Sequence, residues 1–170
     1  MWINEIMIGI ITILCISMIC AFLVANKKKK VIRKNAVSFK ETMDITNLPI
    51  ITFKSKEAKL NFILDTGSTK SIIDQRYLEN AAYEESNTLC NITGLGRKDN
   101  FVKCAVINLT YYDNNFVDEF QVLDMKEVFD SIKESTGANI HGILGTSFFE
   151  KYKYVIDFNE LIAYSKNEKL

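Results

Sequence analysis

The sequence predicts an all-β domain with short helices, preceded by one N-terminal transmembrane helix, on three observations. First, the apolar run Leu60-Asn61-Phe62-Ile63-Leu64 drives into Asp65-Thr66-Gly67-Ser68, and Thr69-Lys70-Ser71-Ile72-Ile73-Asp74 resumes an extended pattern. That unit reads as strand, tight polar turn, strand. Second, a glycine-bearing apolar run, Ile140-His141-Gly142-Ile143-Leu144-Gly145, leads through Thr146-Ser147-Phe148-Phe149 to the strand-like Tyr154-Val155-Ile156-Asp157-Phe158. Third, Ile6 to Ala25 is a 20-residue stretch without a charged side chain.

That stretch is long enough to span a bilayer, since about 20 residues at about 1.5 Å each cover a hydrocarbon core of about 30 Å. A buried core helix would show a polar face, and only Thr12, Ser17 and the small Gly9 interrupt this one. A cleaved signal peptide carries its positive charge before the apolar run and small residues at the cut. Here Lys27, Lys28, Lys29, Lys30, Arg33 and Lys34 follow the run, and Leu23-Val24-Ala25 is a poor cleavage site. A retained anchor is therefore expected, with the basic side and the domain behind it in the cytoplasm. The chain divides into an anchor (1–26), a basic juxtamembrane linker (27–44) and one folded domain (45–170).

With 170 residues there is room for one domain, and with 21 basic and 21 acidic side chains nothing points to a nucleic-acid groove. Cys15 and Cys20 lie in the apolar span, while Cys90 and Cys104 lie in the domain and can face each other across a hairpin. In a cytoplasmic domain they are expected to be reduced. No CxxC or Cys/His cluster is present, so neither a metal nor a cofactor is expected.

Along the domain, Pro49-Ile50-Ile51-Thr52-Phe53 and Ala58 to Leu64 read as strands joined by a Lys54-Ser55-Lys56-Glu57 turn. Asp74 to Glu84 carries Leu78, Ala81 and Ala82 at helical spacing and predicts a short helix. Thr88 to Thr93 and Phe101 to Tyr112 read as a hairpin whose tip holds Gly94, Leu95 and Gly96. Phe116 to Leu123 is a further strand. Met125 to Ser135 has helical spacing at Val128, Phe129 and Ile132 and ends near Gly137, a C-cap residue by type.

A carboxylate at the tip of a buried strand is costly unless its charge is used or matched. Gly67 permits the tight turn, and Thr66 and Ser68 supply hydroxyls that can hold the carboxylate. Together Asp65-Thr66-Gly67-Ser68 and the downstream Ile143-Leu144-Gly145 resemble the retropepsin-like, single-lobe aspartic proteases, over roughly Leu48 to Ser165. The resemblance implies a retropepsin-like barrel with Asp65 as the catalytic residue. It further implies that Thr66 bonds across a dimer axis, that the Gly67 N–H approaches the catalytic carboxyls and that Ser68 donates to the outer carboxylate oxygen. Ile143, Leu144 and Gly145 would form the loop beneath the active site, and Gly94, Leu95 and Gly96 the flap over the substrate. The helix predicted over 125–135 departs from the shorter retroviral pattern.

The chain holds one Asp-Thr-Gly and no second copy. Peptide hydrolysis by two carboxyls sharing a proton then needs a homodimer, with a protein or peptide as substrate. A bond from Ser68 would favour the ionised form and push activity to acidic pH. Asp157 is expected to be structural rather than an intrachain partner of Asp65. His141, the single histidine, lacks the Gly-x-Ser-x-Gly elbow of a nucleophilic triad and reads as a turn residue. The rival reading is a catalytically silent binding or regulatory module of the same fold, with a solitary Asp65.

Overall fold

Residues 16–19, 36–91 and 101–166 are described by the computed structural model. The chain divides into two units, Met1–Arg33 and Lys34–Leu170. Of the first, residues 16–19 are helical and exposed, and the rest of the predicted span Ile6–Ala25 lies outside the described residues. Among the described residues no helix is long and apolar enough to cross a membrane.

In the second unit, alternation of apolar and polar residues sets the strands, and glycines and polar pairs set the turns. The strands are β1 (Val37–Ser38), β2 (Ile50–Ser55), β3 (Ala58–Leu64), β4 (Ser71–Asp74), β5 (Ala82–Asn91), β6 (Phe101–Tyr111), β7 (Asn114–Leu123), β8 (Gly142–Leu144), β9 (Tyr154–Asp157) and β10 (Ile162–Ser165). Seven of them form one sheet in the order β2-β3-β8-β4-β7-β6-β5, and a β2–β6 pairing at Lys54↔Thr110 closes it on itself with β5 outside the ring. The others form a small sheet, β1-β10-β9. The fold is thus a mostly-β barrel with short helices at Lys40–Thr46, Lys126–Thr136 and Thr146–Lys151.

The core is aromatic. Phe53, Phe62, Phe120 and Phe148 are wholly buried, and Phe53 meets Phe62, Phe116 and Phe148 edge to face at 5.6–6.3 Å between centroids. Burying each such ring contributes roughly 1.5–3 kcal/mol. Phe62 on β3 and Phe148, just beyond β8, carry this core to the Asp65 turn. A second cluster seats the helix Lys126–Thr136 through Phe129, Ile140 and Ile50. That helix ends where its glycine was expected, with Gly137 at φ 76° and its N–H on the Lys133 carbonyl.

Three segments differ from expectation. Val37–Ser38 and the helix Lys40–Thr46, which up to Asp44 were assigned above to the linker, belong to the compact unit, because Val37 and Phe39 bury their side chains in the main core. Gln75–Asn80 is a 3-10 turn, and β5 begins at Ala82, inside the predicted helix. The buried Asp74 carboxylate caps this turn through the Arg76 N–H at 3.0 Å, and Leu78 drops onto the core. The strand β10, opposite β9, had no counterpart in the sequence reading.

Candidate active site

β8 runs between the two arms of the Asp65 turn. It pairs parallel with β3 (Phe62↔Gly142, Leu64↔Leu144) on one side and antiparallel with β4 (Ile72↔Ile143, Ile73↔Gly142) on the other. Residues roughly 80 apart in sequence are thereby laid side by side, and the turn after β3 comes to rest on the turn after β8. The stitching is dense. The Asp65 N–H donates to the Leu144 carbonyl at 3.0 Å, the Thr146 N–H to that of Ser68 at 2.8 Å and the Ser147 N–H to that of Thr69 at 3.2 Å. The Thr146 hydroxyl adds bonds to the Ser68 and Thr69 carbonyls.

Glycine is required in β8 and after it for room rather than for backbone conformation. Gly145 is extended (φ −94°, ψ −179°), which any residue adopts. A Cβ there would lie 2.5 Å from the Lys70 carbonyl oxygen and 2.9 Å from that of Ser68. At Gly142 it would lie 2.3 Å from the Ile72 oxygen and 2.6 Å from the Phe62 ring. Ile143, Leu144 and Gly145 therefore sit directly beneath the Asp65 turn, with Leu144 wholly buried.

Asp65 is half-buried at the end of β3, and its Oδ1 accepts the Gly67 N–H at 2.8 Å. Oδ2 has no hydrogen-bond partner among the described residues. Thr66 and Gly67 are exposed beside it. Ser68, expected to donate to the carboxylate, instead donates to the Lys70 carbonyl at 2.8 Å. Its hydroxyl serves the loop's own backbone, because the turn folds back on itself two residues later. The predicted flap residues Gly94, Leu95 and Gly96 lie outside the described residues; the strands on either side, β5 and β6, pair over Ala82–Asn91 and Phe101–Asn108.

Asp157, His141 and Asp74 are engaged in contacts that hold the fold. Asp157 accepts the N–H groups of Asn159 and Glu160 at 3.0 and 3.1 Å and so caps its own turn. His141 accepts the Asn61 N–H on Nδ1 at 2.9 Å, returns its own N–H to the Asn61 carbonyl and packs on Tyr77 at 4.5 Å. Burial lowers its pKa, opposed by the charge of Asp74. Asp74, fully buried, is held by the Arg76 guanidinium, which also reaches Asp130 at 2.8 Å. Both carboxylates raise the Arg76 pKa, and Arg76 lowers that of the half-buried Asp130. Among the described residues no group of three or more His, Cys, Asp or Glu side chains is placed to hold a metal ion.

Two residues of this region escaped the sequence reading. Ser71 opens β4 wholly buried, and its hydroxyl donates to the buried Asp118 of β7 at 3.0 Å. The signal was present: strand alternation in β7 puts Asp118 on the same face as Phe116 and Phe120, which marks an inward-facing acid.

No family model and no curated protein matches the sequence. Among solved structures the chain is similar to the EIAV protease complexed with the inhibitor HBY-793 (16% identity over 61% of this chain and 86% of that one, TM-score 0.40). It is similar to the retroviral protease-like domain of Ddi1 from Leishmania major (12% identity, 71% and 90% coverage, TM-score 0.48). A retropepsin-like aspartic protease from Rickettsia conorii also matches (17% identity, 67% and 79% coverage, TM-score 0.42). These structural neighbours are retropepsin-like aspartic proteases.

Proposed function

We propose that the chain is an aspartic endopeptidase of retropepsin type, in which two copies of Asp65 meet in a homodimer and activate one water. The observation that carries this reading is the Asp65 carboxylate itself. It is half-buried in a turn braced by β8, with one oxygen fixed by the Gly67 N–H and the other without a partner among the described residues. A carboxylate held so firmly and left half-unsatisfied is poised to bind something that bears a proton.

One carboxyl cannot be acid and base at once. Among the described residues the buried acids are committed elsewhere: Asp74 to Arg76, Asp118 to Ser71. A second Asp65 supplies the missing group. Two carboxyls about 3 Å apart share one proton and titrate as a pair. The ionised member takes a proton from water as the water oxygen attacks the peptide carbonyl, and the neutral member donates its proton to the carbonyl oxygen. Collapse of the tetrahedral species passes a proton to the leaving nitrogen, breaks the C–N bond and restores the shared proton. The substrate lies extended between the dyad and the β5–β6 hairpin, with Gly94-Leu95-Gly96 as the flap, and Thr66 bonds across the two-fold axis. Water and the two carboxyls suffice, without metal or cofactor.

The apolar Ile6 to Ala25 supports a membrane anchor, which would raise the local concentration of partners for dimerisation. The basic run at 27–34 supports a cytoplasmic domain, whereas Cys104, which is disulfide-bonded, supports an oxidising compartment. Labelling of a C-terminal tag from outside intact cells decides between the two.

The central test is Asp65→Asn in the full-length chain. It keeps the size and the Gly67 bond but removes the titrating group, so cleavage of a peptide library should vanish while thermal stability and dimerisation hold. Heterodimers with one Asn should be nearly inactive. Full proteolysis by Asp65→Asn would sink the enzyme reading; a wild type that neither dimerises nor cleaves across the pH range is the outcome expected of a binding module.

A further inference from the structure

Behind the Asp65 turn lies a carboxylate for which the proposed reaction has no direct use. Asp118, 6% exposed, stands in β7 between the core residues Phe116 and Phe120. Its Oδ2 accepts the hydroxyl of the wholly buried Ser71. The Ser71 oxygen in turn accepts the Gly145 N–H at 3.4 Å. Gly145 is the residue on whose bare Cα the Lys70 and Ser68 carbonyls rest. One chain of contacts therefore runs from β7, through the first residue of β4, to the floor of the Asp65 turn.

A buried carboxylate is costly to keep unless its bonds matter. The charges facing it are Lys151, with Nζ 3.8 Å from Oδ1, and the more distant Lys70; Glu119 offers it only a backbone N–H. Lys151 is half-exposed and also donates to the Val117 carbonyl, so it neutralises Asp118 only in part. What the carboxylate does well is fix a proton. Ser71 has one hydroxyl hydrogen. While Asp118 accepts it, the lone pairs of the oxygen are left for the Gly145 N–H. With no acceptor at position 118, that hydrogen is free to turn elsewhere and the Gly145 amide loses its partner.

We propose that Asp118 is a positioning residue for the hydrolysis proposed above: acting through Ser71, it fixes the Gly145 turn at the height that presents Asp65. This rests on the protease reading of Asp65 and adds to it a residue that touches neither substrate nor water.

The test uses the full-length chain in detergent, with Asp118→Ala, Asp118→Asn and Ser71→Ala, and reads two quantities. The first is hydrogen exchange at the Gly145 amide, which needs no substrate. The second is kcat and KM for a cleaved peptide across pH. Asp118→Ala and Ser71→Ala should each speed Gly145 exchange about tenfold or more and lower kcat by a similar factor, with KM within about twofold. The double variant should be no worse than either alone. Asp118→Asn, which keeps an acceptor for the Ser71 hydrogen, should restore both quantities and flatten any step in kcat that follows ionisation of Asp118. If Asp118→Ala does not fold, Ser71→Ala, the loss of a single oxygen, carries the comparison. Unchanged Gly145 exchange or unchanged kcat in these variants, with a wild type that cleaves, overturns the positioning role alone. Equal cleavage by wild type and Asp65→Asn overturns the protease reading and the positioning role with it.

Discussion

The Asp65 turn and the β6–β7 turn are both tight, but they are held in different ways. The Asp65 turn is fixed by residues far off in sequence: Leu144, Gly145, Thr146 and Ser147 all bond or press against it. No residue between Asp65 and Ser71 has a positive φ. The β6–β7 turn closes on itself. Tyr111 pairs with Asn114, and between them Tyr112 stands 75% exposed in the left-handed region at φ 49°. Lys56, in the β2–β3 turn, does the same at φ 50°. Left-handed backbone thus stands at these two hairpin tips and is absent from the Asp65 turn. Where the candidate site depends on geometry, the chain instead gives up side chains so that backbones can touch.

The largest effects should follow from filling that contact. Gly142→Ala sets a methyl group against a backbone carbonyl and a buried ring, neither of which can retreat cheaply. It should cost about 3 kcal/mol or more, or prevent folding. Gly145→Ala presses on the Lys70 and Ser68 carbonyls, so it should displace Asp65 and remove activity at a smaller cost in stability. Denaturant titration together with peptide cleavage separates the two, and a Gly145→Ala protein with wild-type kcat would break the contrast between the turns.

Next comes the ion pair that fastens the 3-10 turn. Arg76→Ala leaves the buried Asp74 carboxylate with fewer donors and frees the helix Lys126–Thr136 from its tie at Asp130. A loss of about 2–3 kcal/mol is expected, and a change below about 0.5 kcal/mol would assign these bonds to solvent-screened pairing.

His141 gives a smaller effect whose sign is fixed. Its pKa in the folded protein is below the ordinary value of 6.5. As pH falls through 6.5 the unfolded chain takes up a proton that the folded chain refuses, so stability drops until the lower folded pKa is reached. Asp118 runs the other way. Burial raises its pKa above 3.8, so the folded chain takes up a proton first and gains stability as pH falls toward 3.8. His141→Asn, whose side-chain oxygen can accept the Asn61 amide, should remove the loss between pH 7.5 and 5.5 in melting curves. An unaltered slope would place the titration elsewhere.

The smallest effect belongs to the hairpin tips. Lys56→Gly relieves the left-handed backbone but loosens the unfolded chain, for a net gain of up to about 1 kcal/mol. A similar gain at the Asp65 turn is not expected from any substitution.

What could be read in the sequence were features that one segment carries by itself. The Leu60–Asp74 strand-turn-strand, the capped helix ending at Gly137 and the apolar run through Gly145 all announce themselves through local pattern. Val37–Ser38 and Lys40–Thr46 did not, because a two-residue strand has no period and the lysines before it made the region look like solvated linker. Leu78, Ala81 and Ala82 fit the spacing of a longer helix by coincidence, while Asp74 and Arg76 set the tighter Gln75–Asn80 turn. The acceptor of Ser68 is hidden for a different reason: the choice between Asp65 and the Lys70 carbonyl depends on how the loop bends. The parallel pairing of β3 with β8 is long-range, and so is the link from Ser71 to Asp118, 47 residues on.

The pairing of β1 with β10 (Val37↔Ala163, Ser38↔Ile162) brings the two ends of the barrel unit out side by side. An excised domain must therefore start before Val37, since a later start would leave β10 an unpaired edge open to another chain. The same adjacency makes the unit a natural ring. A short linker from Lys166 to Ala36, with new ends opened between Lys56 and Glu57, would cut only a hairpin tip and leave the Asp65 turn, β8 and Asp118 in their places. Such a permutant would present the barrel to any tether from a different side.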